Sequence, residues 1–221
     1  MNRHLHIAVL HTGWIRHELS KWLLWTAQNE RRLPFSIQHY GGDPDGMPCA
    51  SNRNRIRRDR PAGSDLIMID SDVFPPLDLV DIALLGLDIV VCPTPIWRSN
   101  RPGNPVITNA KLLDGTAQPL PVGQKVVVEI EAGGSSTVYI ANWVLDHPEM
   151  RGAFRFIYDD DGVMIRTEDH EFCRQARACG FYVHMALGYP CSHYKEVDLV
   201  AVFDAIRGGC KCLASGARTR S

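Results

Sequence analysis

Short apolar runs alternate with longer stretches of helical periodicity over the first 93 residues. Four of the runs are predicted to be strands, over residues 5–10, 35–40, 65–69 and 88–93. The segments between them predict three helices: one over about 14–28, a short basic one capped by Ser51 and running towards Arg60, and one over 77–86. Strands that alternate with helices are typical of the α/β class, with a mostly parallel sheet flanked by helices on both faces.

The second half of the chain has a different pattern. Residues 94–124 show little periodicity and are rich in proline, which predicts a flexible loop. Order then returns in segments that predict two strands around a glycine kink, a helix, a strand and a final helix, over 125–140, 167–180, 181–186 and 197–209. We therefore expect one domain over 1–207 and a flexible basic tail over 208–221.

The composition is consistent with the predicted α/β domain and excludes some classes of protein. The 221 residues are 45% hydrophobic and 22% charged, with a net charge of −1, so the chain as a whole has no excess charge to attract a polyanion. The segment 52–60 is an exception, because it contains five arginines. Apolar runs fall short of the roughly 20 residues of a membrane span, and seven irregularly spaced cysteines are typical of a reducing compartment. We expect a cytoplasmic protein.

The sequence LIMIDSDVFPP (66–76) contains the first candidate chemistry. Residues two apart in a strand point the same way, so Asp70 and Asp72 can address one site where the strand ends. Ligands of open α/β sheets bind at that edge, and two neighbouring carboxylates ionise more readily with a cation beside them. A solvated turn with an aspartate capping the next helix is an equally simple interpretation.

Two reactions use such a pair of carboxylates. A phosphatase of the haloacid-dehalogenase kind would use Asp70 as nucleophile with Mg²⁺, and the acidic run 159–161 as its late loop. Phe74 and the late position of the motif in the chain argue against this reaction. The alternative is transfer of a sugar from a nucleotide diphosphate, in which a cation held by carboxylate neutralises the leaving group.

Five motifs, in order, resemble those of GT-A-fold glycosyltransferases of the family-two-like, Asp-x-Asp type. They are SNRNRI (51–56), LIMIDSDVFPPLDLV (66–80), VEIEAGGSSTVYI (128–140), TEDHEFCRQARACGFYV (167–183) and CSHYK (191–195). The resemblance extends from about residue 5 to residue 195. It implies a GT-A (Rossmann-like) fold and a metal-dependent, inverting transfer from a UDP- or GDP-type donor. Residues 1–93 would bind nucleotide and metal, and 125–207 would form the acceptor and catalytic half.

The resemblance also implies roles for individual side chains. Asp72 would be the principal ligand of Mn²⁺ or Mg²⁺, His193 would be the second, and Asp70 would contact the ribose or the metal through water. Asp169, next to Glu168, would take the proton from the acceptor hydroxyl. Carboxylates in the first turn of a helix are also stabilised by the helix dipole alone, which leaves a purely structural role open for this pair.

Further residues match the positions that bind the nucleotide sugar in the family. They are Thr12 and Gly13 after the first strand, Asp43 or Asp45 after the second, Arg55 in the arginine segment, and Gly133 with Gly134 beside the donor sugar. Arginine suits phosphate because of its planar fork of donors. Glycine suits close approach of the backbone to a ligand.

The acceptor is not specified by any motif. We expect a hydroxyl on a glycan, a small molecule or a modified nucleic acid. The arginine segment and the basic tail permit a nucleic acid acceptor, for instance a hydroxymethylated base, which would have to be exposed from the stack. A small, soluble enzyme of this kind is typical of a bacterium or a phage. The competing hypotheses are the phosphatase and a non-catalytic module that binds nucleotide sugars.

Overall fold

The computed structural model describes residues 3–11, 13–41, 49–97, 106–114 and 126–194. The strands within these ranges are β1 Leu5–His11, β2 Phe35–Gly41, β3 Asp65–Asp70, β4 Val73–Phe74, β5 Ile89–Val91, β6 Pro95–Trp97, β7 Val106–Thr108, β8 Ala110–Lys111, β9 Val127–Glu129, β10 Ala132–Gly133, β11 Thr137–Ile140, β12 Ile157–Tyr158, β13 Met164–Arg166, β14 Val183–Ala186 and β15 Ser192–His193.

The helices within the same ranges are α1 His17–Asn29, α2 Cys49–Asp59, α3 Asn142–Asp146 and α4 Glu168–Ala178, with 3-10 helices at Leu79–Leu84 and Pro148–Met150. Among the described residues, no helix combines the length and the apolar character that crossing a membrane requires.

A seven-stranded sheet with the order β2-β1-β3-β11-β5-β14-β9 forms the centre of the molecule. Five of its strands run in one direction, whereas β11 and β9 run against their neighbours. The predicted mixed, mostly parallel α/β sheet is therefore confirmed. The sequence pattern did not predict that β11 separates β3 from β5, because the pattern identifies strands and not their neighbours.

The core lies where the central strands meet α1. In β3, the four residues Leu66 to Ile69 have no exposed surface, which explains the run of apolar residues that marks this strand. Helix α1 covers the sheet with Leu19, Trp22 and Leu23. The Trp22 indole also donates a hydrogen bond of 2.9 Å to the carbonyl of Pro76. The helix thereby fixes the segment that follows the two aspartates.

Several local predictions differ from the structure. Helix α2 begins at Cys49, so Ser51 lies inside the helix and does not cap it. The predicted helix over 77–86 is a shorter 3-10 helix, although Gly86 does follow it with a left-handed φ of 71°. The described parts of 94–124 include β6, β7 and β8, so this segment is not loop throughout. The predicted final helix lies outside the described residues, and the domain boundaries stay a prediction.

Candidate functional site

Both aspartates of the Asp-Ser-Asp motif lie at the carboxyl edge of the central sheet. Asp70 is the last residue of β3, and its N–H donates to the carbonyl of Ser136 at 2.8 Å. The next N–H, of Ser71, still bonds to the carbonyl of Leu10 in β1 at 2.8 Å. Backbone bonding therefore holds the chain to both neighbouring strands up to the residue before Asp72, so the position of both carboxylates is fixed by the sheet.

The structure brings His193 to Asp72 across 121 residues of sequence. Strand β15 pairs with β4, with His193 opposite Val73. The imidazole Nε2 lies 3.3 Å from Asp72 Oδ2, and the N–H of Tyr194 donates to the Asp72 carbonyl at 2.9 Å. The two predicted metal ligands are therefore neighbours, and a small sheet holds them together.

The second ring nitrogen of His193 indicates how the imidazole is oriented. Nδ1 lies 2.9 Å from the carbonyl oxygen of Pro95, which can only accept a hydrogen bond, so Nδ1 carries a proton. Nε2 is then the nitrogen that faces Asp72: in the charged ring it donates a hydrogen bond to the carboxylate, and in the neutral ring it carries the lone pair that a cation would accept. Histidine ligands of metals commonly donate their other N–H to a carbonyl in this way. One imidazole nitrogen and one carboxylate oxygen at this separation fit a divalent cation such as Mn²⁺.

The described residues contain no cluster of three or more His, Cys, Asp or Glu side chains suited to a metal ion. Within the described part of the chain, a cation between Asp72 and His193 would have these two protein ligands, and water or a bound molecule could supply others. Mg²⁺ and Mn²⁺ at phosphate-transfer sites are commonly held in this way, by few protein ligands and by phosphate oxygens.

Arg53 connects this edge to the rest of the site. Its guanidinium is buried, with Nη2 at 3.2 Å from Asp70 Oδ1 and Nη1 donating to the carbonyl of Ser135 at 2.9 Å. Its Nε lies 3.5 Å from Oε1 of Glu168, the first residue of α4. A single cation thus joins α2, β3, the segment before β11 and the start of α4.

The charges around Arg53 shift the pKa values of the groups involved. Burial raises the pKa of Asp70, and the nearby carboxylates of Asp72 and Glu168 raise it further, while Arg53 opposes the shift. Burial alone would lower the pKa of Arg53, but its two carboxylate neighbours raise the pKa above the ordinary value. Arg53 is therefore the group that favours the ionised form of Asp70 against the effect of burial.

The sequence did not identify Arg53, whereas the role of Arg55 at the nucleotide stays a prediction. Arg55 donates to the carbonyl of Gly41 at 2.7 Å and lies over the ring of Tyr40, at the carboxyl end of β2. The helical phase contains the signal that identifies Arg53, because it shares the buried side of α2 with Ala50 and Ile56. A cation on the apolar face of a helix needs a buried partner.

The arginines of the segment 52–60 contact groups of the protein itself, although Arg58 is exposed. Arg57 and Arg60 donate to the Leu145 carbonyl and the Asp146 carboxylate, and Arg58, the exposed member, pairs with Asp59 at 2.7 Å. The guanidinium groups of 52–60 therefore bind the protein itself. Contact of this segment with a nucleic acid stays a prediction, and the basic tail lies outside the described residues.

Hydrogen bonds at the start of α4 orient the carboxylate of Asp169, the candidate base. Its Oδ1 accepts hydrogen bonds from the Thr167 hydroxyl and, at 2.8 Å, from the N–H of His170. Its Oδ2 lies on the side of Gly134, where a Cβ would stand 3.4 Å from that oxygen and 3.0 Å from Nδ2 of Asn109. Any larger residue at position 134 would occupy the space beside this carboxylate.

The remaining predicted nucleotide-sugar residues are placed in different ways. A Cβ on Gly133 would stand 3.0 Å from Val91 and 3.1 Å from Ile130, so the packing of the core accounts for this glycine. Gly13 has a φ of 115° and donates its N–H to the His11 imidazole at 3.1 Å. Thr12, Asp43 and Asp45 lie outside the described residues.

The acidic run 159–161 forms an exposed turn between β12 and β13. Asp159 Oδ1 accepts the N–H groups of Asp161 at 3.1 Å and Val163 at 2.8 Å, which closes the turn. An aspartate in this position stabilises a turn without any further role. Turn formation therefore accounts for the residue that the phosphatase hypothesis assigned to a metal loop.

The comparisons with known proteins bear on the fold. No protein-family model and no curated protein matches this sequence. Among solved structures, A197 from STIV superposes with a TM-score of 0.53 at 14% identity, covering 88% of this chain and 86% of its own. GalNAc-T7, solved with UDP, GalNAc and Mn²⁺, superposes with a TM-score of 0.50 at 10% identity, covering 89% of this chain and 44% of its own. These likenesses show that the chain has a Rossmann-like α/β fold of the GT-A type.

Proposed function

We propose that this protein is a metal-dependent glycosyltransferase that moves a sugar from a UDP- or GDP-linked donor to an acceptor hydroxyl. The observation that carries the proposal is the pairing of Asp72 with His193, whose Nδ1–H is held by the Pro95 carbonyl. GalNAc-T7, which shares the fold, was solved with UDP, GalNAc and Mn²⁺, and this supports the choice of donor and metal. The enzyme would act in the cytoplasm, in keeping with its free cysteines.

Asp72 and His193 would hold Mn²⁺ or Mg²⁺ at the sheet edge. When bound, the cation supplies the positive charge that a departing nucleoside diphosphate requires. Asp70 would bind the ribose or a water on the cation, and Arg53, which donates to Asp70 Oδ1 at 3.2 Å, favours the ionised form of its carboxylate. Removal of Arg53 would therefore disturb the donor site without touching a metal ligand.

The base and ribose of the donor would bind at the ends of β1 and β2. Arg55 bonds to the last residue of β2, Gly41, directly before the segment that contains Asp43. Gly13, with its left-handed φ, follows β1 on the neighbouring strand. We assign the nucleotide to Thr12, Gly13, Asp43 and Arg55, and the donor sugar to the region of Gly134.

Asp169 would accept the proton of the attacking hydroxyl. Two donors hold Oδ1, so the carboxylate is fixed with Oδ2 towards the open side at Gly134. A general base on the face opposite the leaving diphosphate produces inversion at the sugar carbon. Glu168 contacts Arg53 and so fixes the start of α4 against the donor side of the site.

A thermal-shift experiment tests the proposal. UDP and GDP, each with and without Mn²⁺, are added to the wild type and to Asp72→Asn and His193→Asn. A nucleotide that binds the native state raises the apparent Tm by mass action. We expect a Mn²⁺-dependent shift with one of the two nucleotides, and loss of most of that shift in both variants.

Matched variants away from the sheet edge control for general effects on stability. His17→Asn changes an exposed histidine at the start of α1, and Asp160→Asn changes an exposed aspartate in the β12–β13 turn. Both should retain the shift of the wild type. Absence of any Mn²⁺-dependent shift with either nucleotide would overturn the proposed function, and so would equal losses in all four variants.

A further inference from the structure

A pocket lies on the flank of α4, and its lining does not include Asp70 or Asp72. Its volume is about 300 Å³, at the lower end of the range of small-molecule sites. We call it the α4 pocket, and its lining residues are Lys111, Glu131, Ala132, Arg166, His170, Arg174 and Arg177. Four of these seven side chains are cationic and one is acidic.

Ion pairing does not cancel the positive charge of the α4 pocket. Glu171 lies behind the pocket wall and accepts hydrogen bonds from three arginines, Arg155, Arg166 and Arg174. The other two pocket cations have one carboxylate each, in the pairs Lys111–Glu131 and Arg177–Glu129. Arg155 does not line the pocket, but it shares Glu171 with two arginines that do, so five cations share three carboxylates and the cluster has an excess of two positive charges.

The Glu171 cluster holds its guanidinium groups in fixed positions. The carboxylate is 1% exposed, and its hydrogen bond with Arg174 lowers its pKa to about 2, with Arg166 and Arg155 contributing despite the cost of burial. It therefore stays ionised across the physiological range. In the described part of the chain, Arg166 donates one hydrogen bond, to this carboxylate, so its other N–H groups are available to a ligand.

The α4 pocket adjoins the acceptor side of the proposed active site. His170, which lines it, follows Asp169 directly and donates its N–H to that carboxylate. Ala132, which also lines the pocket, lies two residues before Gly134, whose Cβ would stand 3.4 Å from Asp169 Oδ2. A molecule with one end in this pocket would place its other end near the candidate base.

We propose that the α4 pocket binds a phosphate group carried by a small acceptor molecule, next to the hydroxyl that receives the sugar. The acceptor role rests on the proposed glycosyl transfer. Guanidinium groups suit phosphate because they offer paired donors in one plane. A concave site of this size admits a single phosphomonoester, whereas a nucleic acid backbone would need a longer basic track.

NMR titration tests the binding site directly. Inorganic phosphate, glucose 6-phosphate and glucose are added to ¹⁵N-labelled protein at low salt. We expect the two phosphates to shift the amides of 131–132 and 166–177, and glucose alone to shift them far less. Lys111→Gln should weaken phosphate binding about threefold to tenfold, and Glu131→Gln should strengthen it. Lys21→Gln, which changes an exposed residue of α1, should leave phosphate binding unchanged.

Different results overturn different parts of the proposal. Equal phosphate affinity in Lys111→Gln and Lys21→Gln, or shifts confined to residues near Asp72, would overturn the α4 pocket as the site. Tighter binding of a short DNA duplex with the same footprint would overturn a small acceptor. Asp72→Asn should retain phosphate binding. If phosphate binds as expected but no nucleotide shows a Mn²⁺-dependent shift, the pocket stands as an anion site and its acceptor role is overturned.

Discussion

One buried arginine determines the electrostatics of the candidate site. Arg53 is 3% exposed and lies within 3.5 Å of carboxylate oxygens of both Asp70 and Glu168. Two carboxylates in such a place would otherwise have to protonate or move towards water. The motif Asp-Ser-Asp is recognisable from the sequence, but its counter-ion is not, because it lies 17 residues earlier on another element.

Replacing Arg53 should destabilise the protein in a pH-dependent manner. We expect Arg53→Met to lower the free energy of unfolding by roughly 3–5 kcal/mol at pH 8, as for other broken buried ion pairs. The loss should be smaller at pH 5.5. Without the guanidinium, the pKa of Asp70 rises further, so the folded state binds protons more strongly than the unfolded state and gains stability as the pH falls.

Urea unfolding at the two pH values measures this effect. Arg58→Met is the matched control, because Arg58 is exposed and pairs only with its neighbour Asp59 in the described structure. It should change the free energy of unfolding by no more than about 0.5 kcal/mol. A similar loss in both variants, or a loss in Arg53→Met that does not depend on pH, would contradict the role assigned to Arg53.

His6 should make the stability of the fold depend on pH between 7.5 and 5. It is buried in β1, with its ring nitrogens 2.9 Å from the Ser36 hydroxyl and 3.1 Å from the Tyr40 hydroxyl. Burial, with smaller contributions from His4 and Arg60, lowers its pKa from 6.5 to about 4. Its stabilising contribution is present above pH 6.5 and is lost as the pH falls towards 4, because the unfolded state takes up the proton first.

The expected loss from this one group is about 2 kcal/mol between pH 7.5 and pH 5. Between pH 7.5 and pH 5, the free energy of unfolding of His6→Asn should fall by about 2 kcal/mol less than that of the wild type. Chemical denaturation at both pH values provides the comparison, and His17→Asn should follow the wild type. If His6→Asn keeps the full pH dependence, the charge on His6 does not control it.

At the scale of secondary-structure elements, the sequence predicts the elements that depend on a local pattern of residues. The strands β1, β2, β3 and β5 and the helices α1 and α4 follow from periodicity, because each buries one face or both. The insertion of β11 between β3 and β5 depends on long-range pairing, and no local pattern encodes such pairing. Likewise, β15 is two residues long and exists because it pairs with β4.

Gly133, the last residue of β10, and Gly41, the last residue of β2, should respond differently to alanine. At Gly133, a Cβ would meet the side chains of Val91 and Ile130, at 3.0 and 3.1 Å, and both residues are buried in the core. We expect Gly133→Ala to lower the free energy of unfolding by roughly 1–3 kcal/mol. Gly41→Ala is the control, because its Cβ would stand 3.3 Å from the His11 ring at the end of β2, where that side chain can rotate. Equal losses of stability in the two variants would contradict this assignment.

At the scale of the whole molecule, the proposed metal site would couple distant parts of the chain. Residues 70–74 form the first half of the site and 192–194 the second, and only the short β4–β15 pair and the bond from Tyr194 to the Asp72 carbonyl join them along the backbone. A cation shared by Asp72 and His193 would add a direct link between the two segments. Local opening of a short strand pair costs little, so its amides should exchange readily without metal.

Hydrogen exchange with mass spectrometry measures that coupling. Addition of Mn²⁺ with the nucleotide that stabilises the protein should slow exchange in both 72–74 and 192–194, although about 120 residues separate them. Asp72→Asn should abolish the protection in both segments together, because each owes it to the same ion, while Asp160→Asn should leave it intact. Protection confined to 72–74 would show that the cation binds the aspartates without His193. In that case the structural pairing of β4 with β15 positions the chain but does not complete a metal site.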